Sequence, residues 1–444
     1  MENLEHSMSA SAAHSIQEAL RLGKSRDIWY YDSKTTSKQS IPSVVDTRFY
    51  QELNNLTAGS STFIISIDQG ISDIILGVKL PEQGGVVDYT NLGLPRGWIY
   101  QLINRISIRY GSSSQYFWTG GQLLIENLRE MPNPETRDDL FELGGTVMVA
   151  LADFAGDNLY AYAYLNTPHC SPNGSMAKPN PFPSELIGQP IVLTLELNPL
   201  QGLFSTRAAL GSLTGAPTQL ASGYFQVRQV HAKDTGELMT MPGGRSVAYS
   251  FPTKCFYQNE IQIKVGSRNA VVATPTAYEL LLTGFRNGEV RSIFFWVTKD
   301  TDTDPSPTNV PFVKNFTKFI LPKDIELLYN GTVYYRARGS AAQMWSLITT
   351  ETPPLLECTV VAYNPGPPTA LTSATQKANW TEIPFSQVFE QLSGSHMYVS
   401  GKLIQNAVVN LNMTLPDTDA YTVHCVYSYN CALMISDRQC EYAF

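Results

Sequence analysis

Ile191, Leu193, Leu195 and Leu197 alternate with Val192, Thr194 and Glu196, and the same period of two returns along most of the chain. It recurs at Leu102–Tyr110. There Leu102, Asn104, Ile106, Ile108 and Tyr110 share one face, and Ile103, Arg105, Ser107 and Arg109 share the other. Near the end, Val409, Leu411, Met413 and Leu415 alternate with Asn410, Asn412 and Thr414, and Tyr421, Val423, Cys425, Tyr427 and Tyr429 line a last strand. Only an extended backbone turns successive side chains to opposite sides, so such segments are strands with one face on a core and one toward water. Further strands are expected at 62–68, 73–80, 146–152, 159–165, 224–231, 260–265, 278–283 and 292–298. The chain is therefore all-β, and its 31 Gly and 27 Pro fit strands joined by many turns.

One hairpin can be placed closely. The segments 325–329 and 332–336 flank Asn330-Gly331, the pair that best tolerates the positive φ angles of a type I′ turn. That turn accounts for Asn330 although it also opens one of six N-x-S/T sequons, the others starting at Asn55, Asn173, Asn315, Asn379 and Asn412.

Helices are few and short. Residues 122–131 place Leu124, Leu128 and Met131 on one face and stop at Pro132 and Pro134. Residues 137–143 form a turn or two before Gly144-Gly145, and 384–392 form a third helix opened by Pro384 and closed by Gly394. A weak amphipathic signal (Ala12, Ile16, Leu20) and a polar stretch set residues 1–40 apart, either as a frayed terminus or as an N-terminal arm that docks on a neighbour. Long Pro-rich connections are expected at 166–190, 300–311 and 353–373. Polar residues and Pro242-Gly243-Gly244 mark a boundary, which gives an arm (1–40) and two β domains (41–234 and 235–444). Each half holds about eight strands, the content of two tandem eight-stranded jelly rolls with few short helices and long surface loops. No sequence repeat links the halves.

Chemistry is hard to find. A formal charge of −8 excludes a binder driven by phosphate neutralisation. No eighteen-residue apolar run exists, and residues 1–20 lack a basic segment followed by an apolar one, so neither a spanning helix nor a signal peptide is expected. Six scattered cysteines are then free thiols by default. Asp300, Asp302 and Asp304 alternate like a calcium loop. Pro305 stands where that loop needs Gly, however, and Pro311 where it needs Glu, so a solvated acidic loop is the better reading. His169-Cys170 and His424-Cys425 lack zinc spacing, and the second pair points to opposite faces of a strand. Asp138 and Asp139 read as solubilising charge on a helix. Nucleophile and phosphate-loop motifs are missing. The reading names no catalytic, cofactor-binding or metal residue, no cofactor and no enzyme activity.

Several segments, taken in order, resemble the double jelly-roll major capsid proteins of DNA viruses, especially nucleocytoplasmic large DNA viruses and their smaller relatives. A strand at 106–110 leads to Gly120-Gly121-Gln122 and a helix. Residues 223–231 with the polar exit 233–237 look like the strand that ends the first roll. Residues 288–297, with Trp296-Val297 near the end, are similar to a strand of the second roll, and 326–331 to its Asn-Gly hairpin. Pro384, Ser393-Gly394 and Asn406-Ala407 precede the final match at 426–436 and 442–444.

The resemblance implies assembly. Homotrimers would form pseudo-hexagonal capsomers that tile an icosahedral shell in the virion and meet neighbouring capsomers and minor capsid and penton proteins. The arm would lie on the inner side, touching minor capsid proteins or an internal membrane, with no specific nucleic acid as partner. An aromatic content of 11% suits subunit interfaces. The rival reading is a tandem β-sandwich that binds glycans or a receptor. A β-sandwich glycoside hydrolase comes third, because no pair of carboxylates is nominated.

Overall fold

The computed structural model describes residues 45–65, 70–113, 115–130, 134–148, 150–165, 187–206 and 215–231, positions 167, 182 and 184, and the strands beyond residue 231 with a few flanking positions. The arm, the 232–248 junction, His169-Cys170 and the 300–304 acidic loop lie outside the described residues.

In the first half the main strands are β1 (Val45–Glu52), β2 (Gly59–Ile65), β3 (Gly70–Lys79), β4 (Ile103–Tyr110), β5 (Tyr116–Trp118), β6 (Tyr160–Leu165), β7 (Ile191–Leu197) and β8 (Ser222–His231). They pair antiparallel into two four-stranded sheets, β1-β8-β3-β6 and β2-β7-β4-β5. In the second half the main strands are β9 (Tyr249–Tyr257), β10 (Thr276–Leu281), β11 (Glu289–Lys299), β12 (Asp324–Tyr329), β13 (Thr332–Arg338), β14 (Thr381–Pro384), β15 (Val408–Thr414) and β16 (Tyr421–Ser436). They pair as β9-β16-β11-β14 and β10-β15-β12-β13. Adding eight to each first-half label yields the second-half order. Two sheets wound in this way are a jelly roll, and the chain makes the winding twice.

Burial follows the period of two. In β7, Ile191, Leu193, Leu195 and Leu197 are buried while the residues between them are half-buried. The sheets of the first roll meet over Phe63 of β2 and Phe225 of β8, whose rings lie edge to face at 4.6 Å. Each fully buried side chain of this size contributes about 1.5–3 kcal/mol.

β4 departs from strict alternation. Its register against β7 slips between Ile103 and Arg105, so Ile103 stays inside and Asn104 is exposed. The expectation that Asn104 shares the face of Ile106 is therefore corrected: an extra residue at a bulge flips everything before it.

Among the described residues, three α-helices interrupt the first roll: α1 (Trp98–Leu102), α2 (Gly120–Glu130) and α3 (Pro134–Leu143). α1 was not anticipated, and it begins without a side-chain cap. Its first amides are met by backbone instead, Gly97 N donating to Gly145 O at 2.7 Å and Ile99 N to Gly144 O at 3.1 Å. Gly144-Gly145 closes α3 as expected, with Gly145 at φ 118. In α2 the carboxylate of buried Glu126 accepts from Trp118 Nε1 at 2.8 Å and from Gln122 Nε2 at 2.6 Å, which satisfies three polar groups inside the core.

Other expectations fail. Residues 146–152 are not a strand: Met148 makes a single bridge to Leu94, and Leu151–Asp153 is a 3-10 turn. The segment 384–392 is not a helix. Pro384 ends β14, and Val388–Glu390 pairs with His396–Tyr398. The stretch 353–373 is not one long loop, for Leu355–Tyr363 pairs with Leu371–Asn379 in a hairpin. The Asn330-Gly331 hairpin holds, with Tyr329 facing Thr332 in register.

Candidate functional site

The chain does not end with β16. A turn through Arg438, at φ 63, reverses it into β17 (Gln439–Ala443), which pairs with the end of β16. Sequence reading missed this strand and took the segment as a tail. The hairpin reaches the first roll: Gly188 N donates to Arg438 O at 2.8 Å. Cys440 N donates to Ser112 Oγ at 3.2 Å, and that hydroxyl lies 3.3 Å from Cys440 O.

Behind these bonds lies an apolar seam. Trp296 of β11, Val426 of β16 and Cys440 of β17 belong to the same buried cluster as the core of the first roll. Gly121, at the start of α2, lies against the Trp296 ring, where a Cβ would sit at 3.7 Å. His424, opposite Trp296 in register, stacks on it at 4.9 Å and 6°, with its Nε2 3.1 Å from Thr298 Oγ1. The alternate positions Val297, Val423 and Cys425 are also buried, on the other side of the sheet. The β9-β16-β11-β14 sheet is thus covered on both faces here, by its own roll and by the first. His424 and Cys425 point apart, as their adjacency in a strand requires. Cys425 is fully buried and fills core.

The counterpart sheet of the first roll differs. Its inward face is apolar, with Ile74, Leu76, Val78, Ala163, Phe225 and Val227 buried. Its outward face carries Tyr50, Tyr160, Tyr162, Tyr164 and Tyr224. Tyr224 lies flat over Gly77, where a Cβ would come within 2.7 Å of the ring, and Tyr50 packs edge-on against it at 5.7 Å. Desolvation, followed by the neighbouring Tyr162, pushes the Tyr224 hydroxyl up to about 12. Lys79 sits 5.2 Å from the Tyr160 ring, and Arg228 pairs with Asp73 at 3.3 Å. At the β6 edge, Asn127 of α2 donates to Tyr164 O at 2.8 Å, which blunts an open strand edge. Sequence reading placed β6 but overlooked the face. The signal was Tyr160-Ala161-Tyr162-Ala163-Tyr164, where the water-side positions are aromatic rather than charged.

Elsewhere, Asn55 of the first sequon closes a turn, its Oδ1 accepting from Thr57 N at 2.9 Å. Asp139 is exposed on α3. Among the described residues no group of three or more His, Cys, Asp or Glu is placed to hold a metal ion, and no helix is long and apolar enough to cross a membrane.

Two wound sheets made twice on one chain and joined along a buried seam define the double jelly-roll class. Solved structures of that class superpose on this chain over nearly its whole length. VP54 of PBCV-1, fitted into a reconstruction of the virophage Sputnik, covers 92% of this chain and 98% of its own, with a TM-score of 0.61 and 10% identity. The major capsid protein of Faustovirus covers 96% and 97%, with a TM-score of 0.52 and 8% identity. A chain of the Sputnik virophage structure covers 90% and 88%, with a TM-score of 0.52 and 9% identity. No family model and no curated protein sequence matches the chain. The likeness is one of fold, with about one residue in ten shared.

Proposed function

We propose that this chain is a major capsid protein, a structural subunit that trimerises into pseudo-hexagonal capsomers tiling an icosahedral viral shell. The observation that carries the reading is the repeated winding: two rolls of the same strand order, fused side by side, present six roll-shaped units when three copies meet. The fold likeness to a protein titled as a major capsid protein, over 96% of this chain, supports it.

In this reading the protein resides in the virion, and the domains are the arm 1–40 and the rolls 41–234 and 235–444. The arm meets minor capsid proteins or an internal membrane on the inner side, and penton proteins fill the vertices. A charge of −8 leaves genome condensation to other proteins. The chain acts by packing rather than by catalysis.

Light scattering tests the reading. Three chains of 49.2 kDa give a trimer of roughly 148 kDa. A stable monomer at micromolar concentration would refute it. Deleting residues 1–40 is expected to leave the trimer intact and impair shell assembly. A trimer that falls apart on this deletion would refute the role given to the arm.

A further inference from the structure

The two rolls use corresponding sheets differently. In the second roll the outward face of β9-β16-β11-β14 is buried against the first roll through Trp296 and Val426. In the first roll the corresponding face, on β1-β8-β3-β6, presents tyrosines, with Tyr50 57% exposed at its β1 edge.

We propose that this tyrosine face is the seat of the second roll of another copy of this chain, so that the contact between chains repeats the contact within one. The inference rests on the assembly reading above and names the surface that carries it.

Three features select that occupant. The first is equivalence. Within the chain, the same face of the same sheet already seats on a neighbouring roll, and a head-to-tail contact that recurs closes into a ring when the rotation allows. Two rolls per chain and three chains make such a ring of six.

The second is size. Four strands about 4.8 Å apart and up to ten residues long at about 3.3 Å each give a face on the order of 500–600 Å². Pairing it with a partner removes roughly 1,000–1,200 Å² from water, the lower bound for a specific interface.

The third is charge. The whole chain is acidic, which penalises approach of two copies, yet among the described side chains this face balances Glu52 and Asp73 against Lys79 and Arg228. Arg228 and Asp73 pair with each other, as do Lys79 and nearby Glu82 at 3.2 Å. Tyrosines within such a rim have the anatomy of an interface: rigid amphipathic rings at the centre, polar groups around them.

The test compares trimer dissociation by light scattering and sedimentation for the full-length chain and three variants. Tyr50→Arg places a charge at the most exposed ring and is expected to convert trimers to folded monomers at concentrations where the parent is trimeric. Tyr50→Ser removes the ring without adding charge and is expected to weaken the trimer about tenfold or more. Ile64→Arg alters an equally exposed residue (62%) on the other sheet and is expected to leave the trimer unchanged. Circular dichroism establishes that each variant is folded. Should Tyr50→Arg fail to fold, Tyr50→Ser decides. A trimeric parent whose Tyr50 variants keep its dissociation constant, or whose Ile64→Arg variant alone falls apart, overturns the tyrosine face and leaves the assembly reading standing. A monomeric parent overturns both.

Discussion

A methyl group at Gly120 would collide with the backbone carbonyl of Tyr100, whereas one at Gly121 would rest at ordinary contact distance from Trp296. Gly120→Ala is therefore expected to cost about 3 kcal/mol or more, because backbone cannot move aside. Gly121→Ala is expected to be neutral or stabilising by up to about 1 kcal/mol, since alanine favours the helix; urea melts of the two variants distinguish them. Sequence reading recognised Gly120-Gly121-Gln122 as a motif but not which glycine is obligatory, because the colliding carbonyl lies twenty residues away in α1. Titration acts at this scale too. Burial pushes the Cys440 thiol up from 9.0 and Tyr100 up from 10.0 to about 12. Their contribution is complete below about pH 9. Above it the unfolded chain loses these protons first, so it binds fewer than the native state and stability falls as pH rises. Urea midpoints at roughly pH 8, 9.5 and 10.5 should decline in that order, and Cys440→Ala should remove the earliest part of the decline.

Element by element, legibility depended on how many neighbours each strand has. β7 meets core on one face only, so Ile191 to Leu197 announced it plainly. β16 is covered on both faces, and its Val423, His424, Cys425 and Val426 no longer separate into a wet and a dry set. The hairpin strand Leu355–Tyr363 was hidden by the flanking Pro353-Pro354 and Pro365, which drew attention to punctuation rather than to the β-branched run Thr359-Val360-Val361 between them. Pro384 suggested a helix start, yet it ends β14, an edge strand, where proline is also tolerated. α2 offers a prediction of its own. Glu126→Leu strips acceptors from Trp118 and Gln122 inside the core and is expected to cost about 2–3 kcal/mol, and Glu126→Gln, which keeps one acceptor, less. Removing residues 437–444 takes away β17 with its bonds to Ser112 and Gly188. Calorimetry of the full chain is expected to show one unfolding transition, and of the shortened chain two, as the rolls lose their coupling.

Across the whole molecule, the tandem winding was legible because each half carries its own set of alternating strands. The seam and the tyrosine face were not, because both depend on which sheet of one roll meets the other, and alternation along a strand does not encode that. The seam also imposes an order of events on the living cell. The first roll is complete in its own strands at His231, but Trp296, Val426 and Cys440 join its buried cluster along the seam. A ribosome adding about 5–20 residues each second needs roughly ten to forty seconds to travel from the one point to the other. Through that interval the leading half must wait with a greasy flank uncovered, a natural client for chaperones crowding the exit tunnel, until the closing strand emerges to seal it.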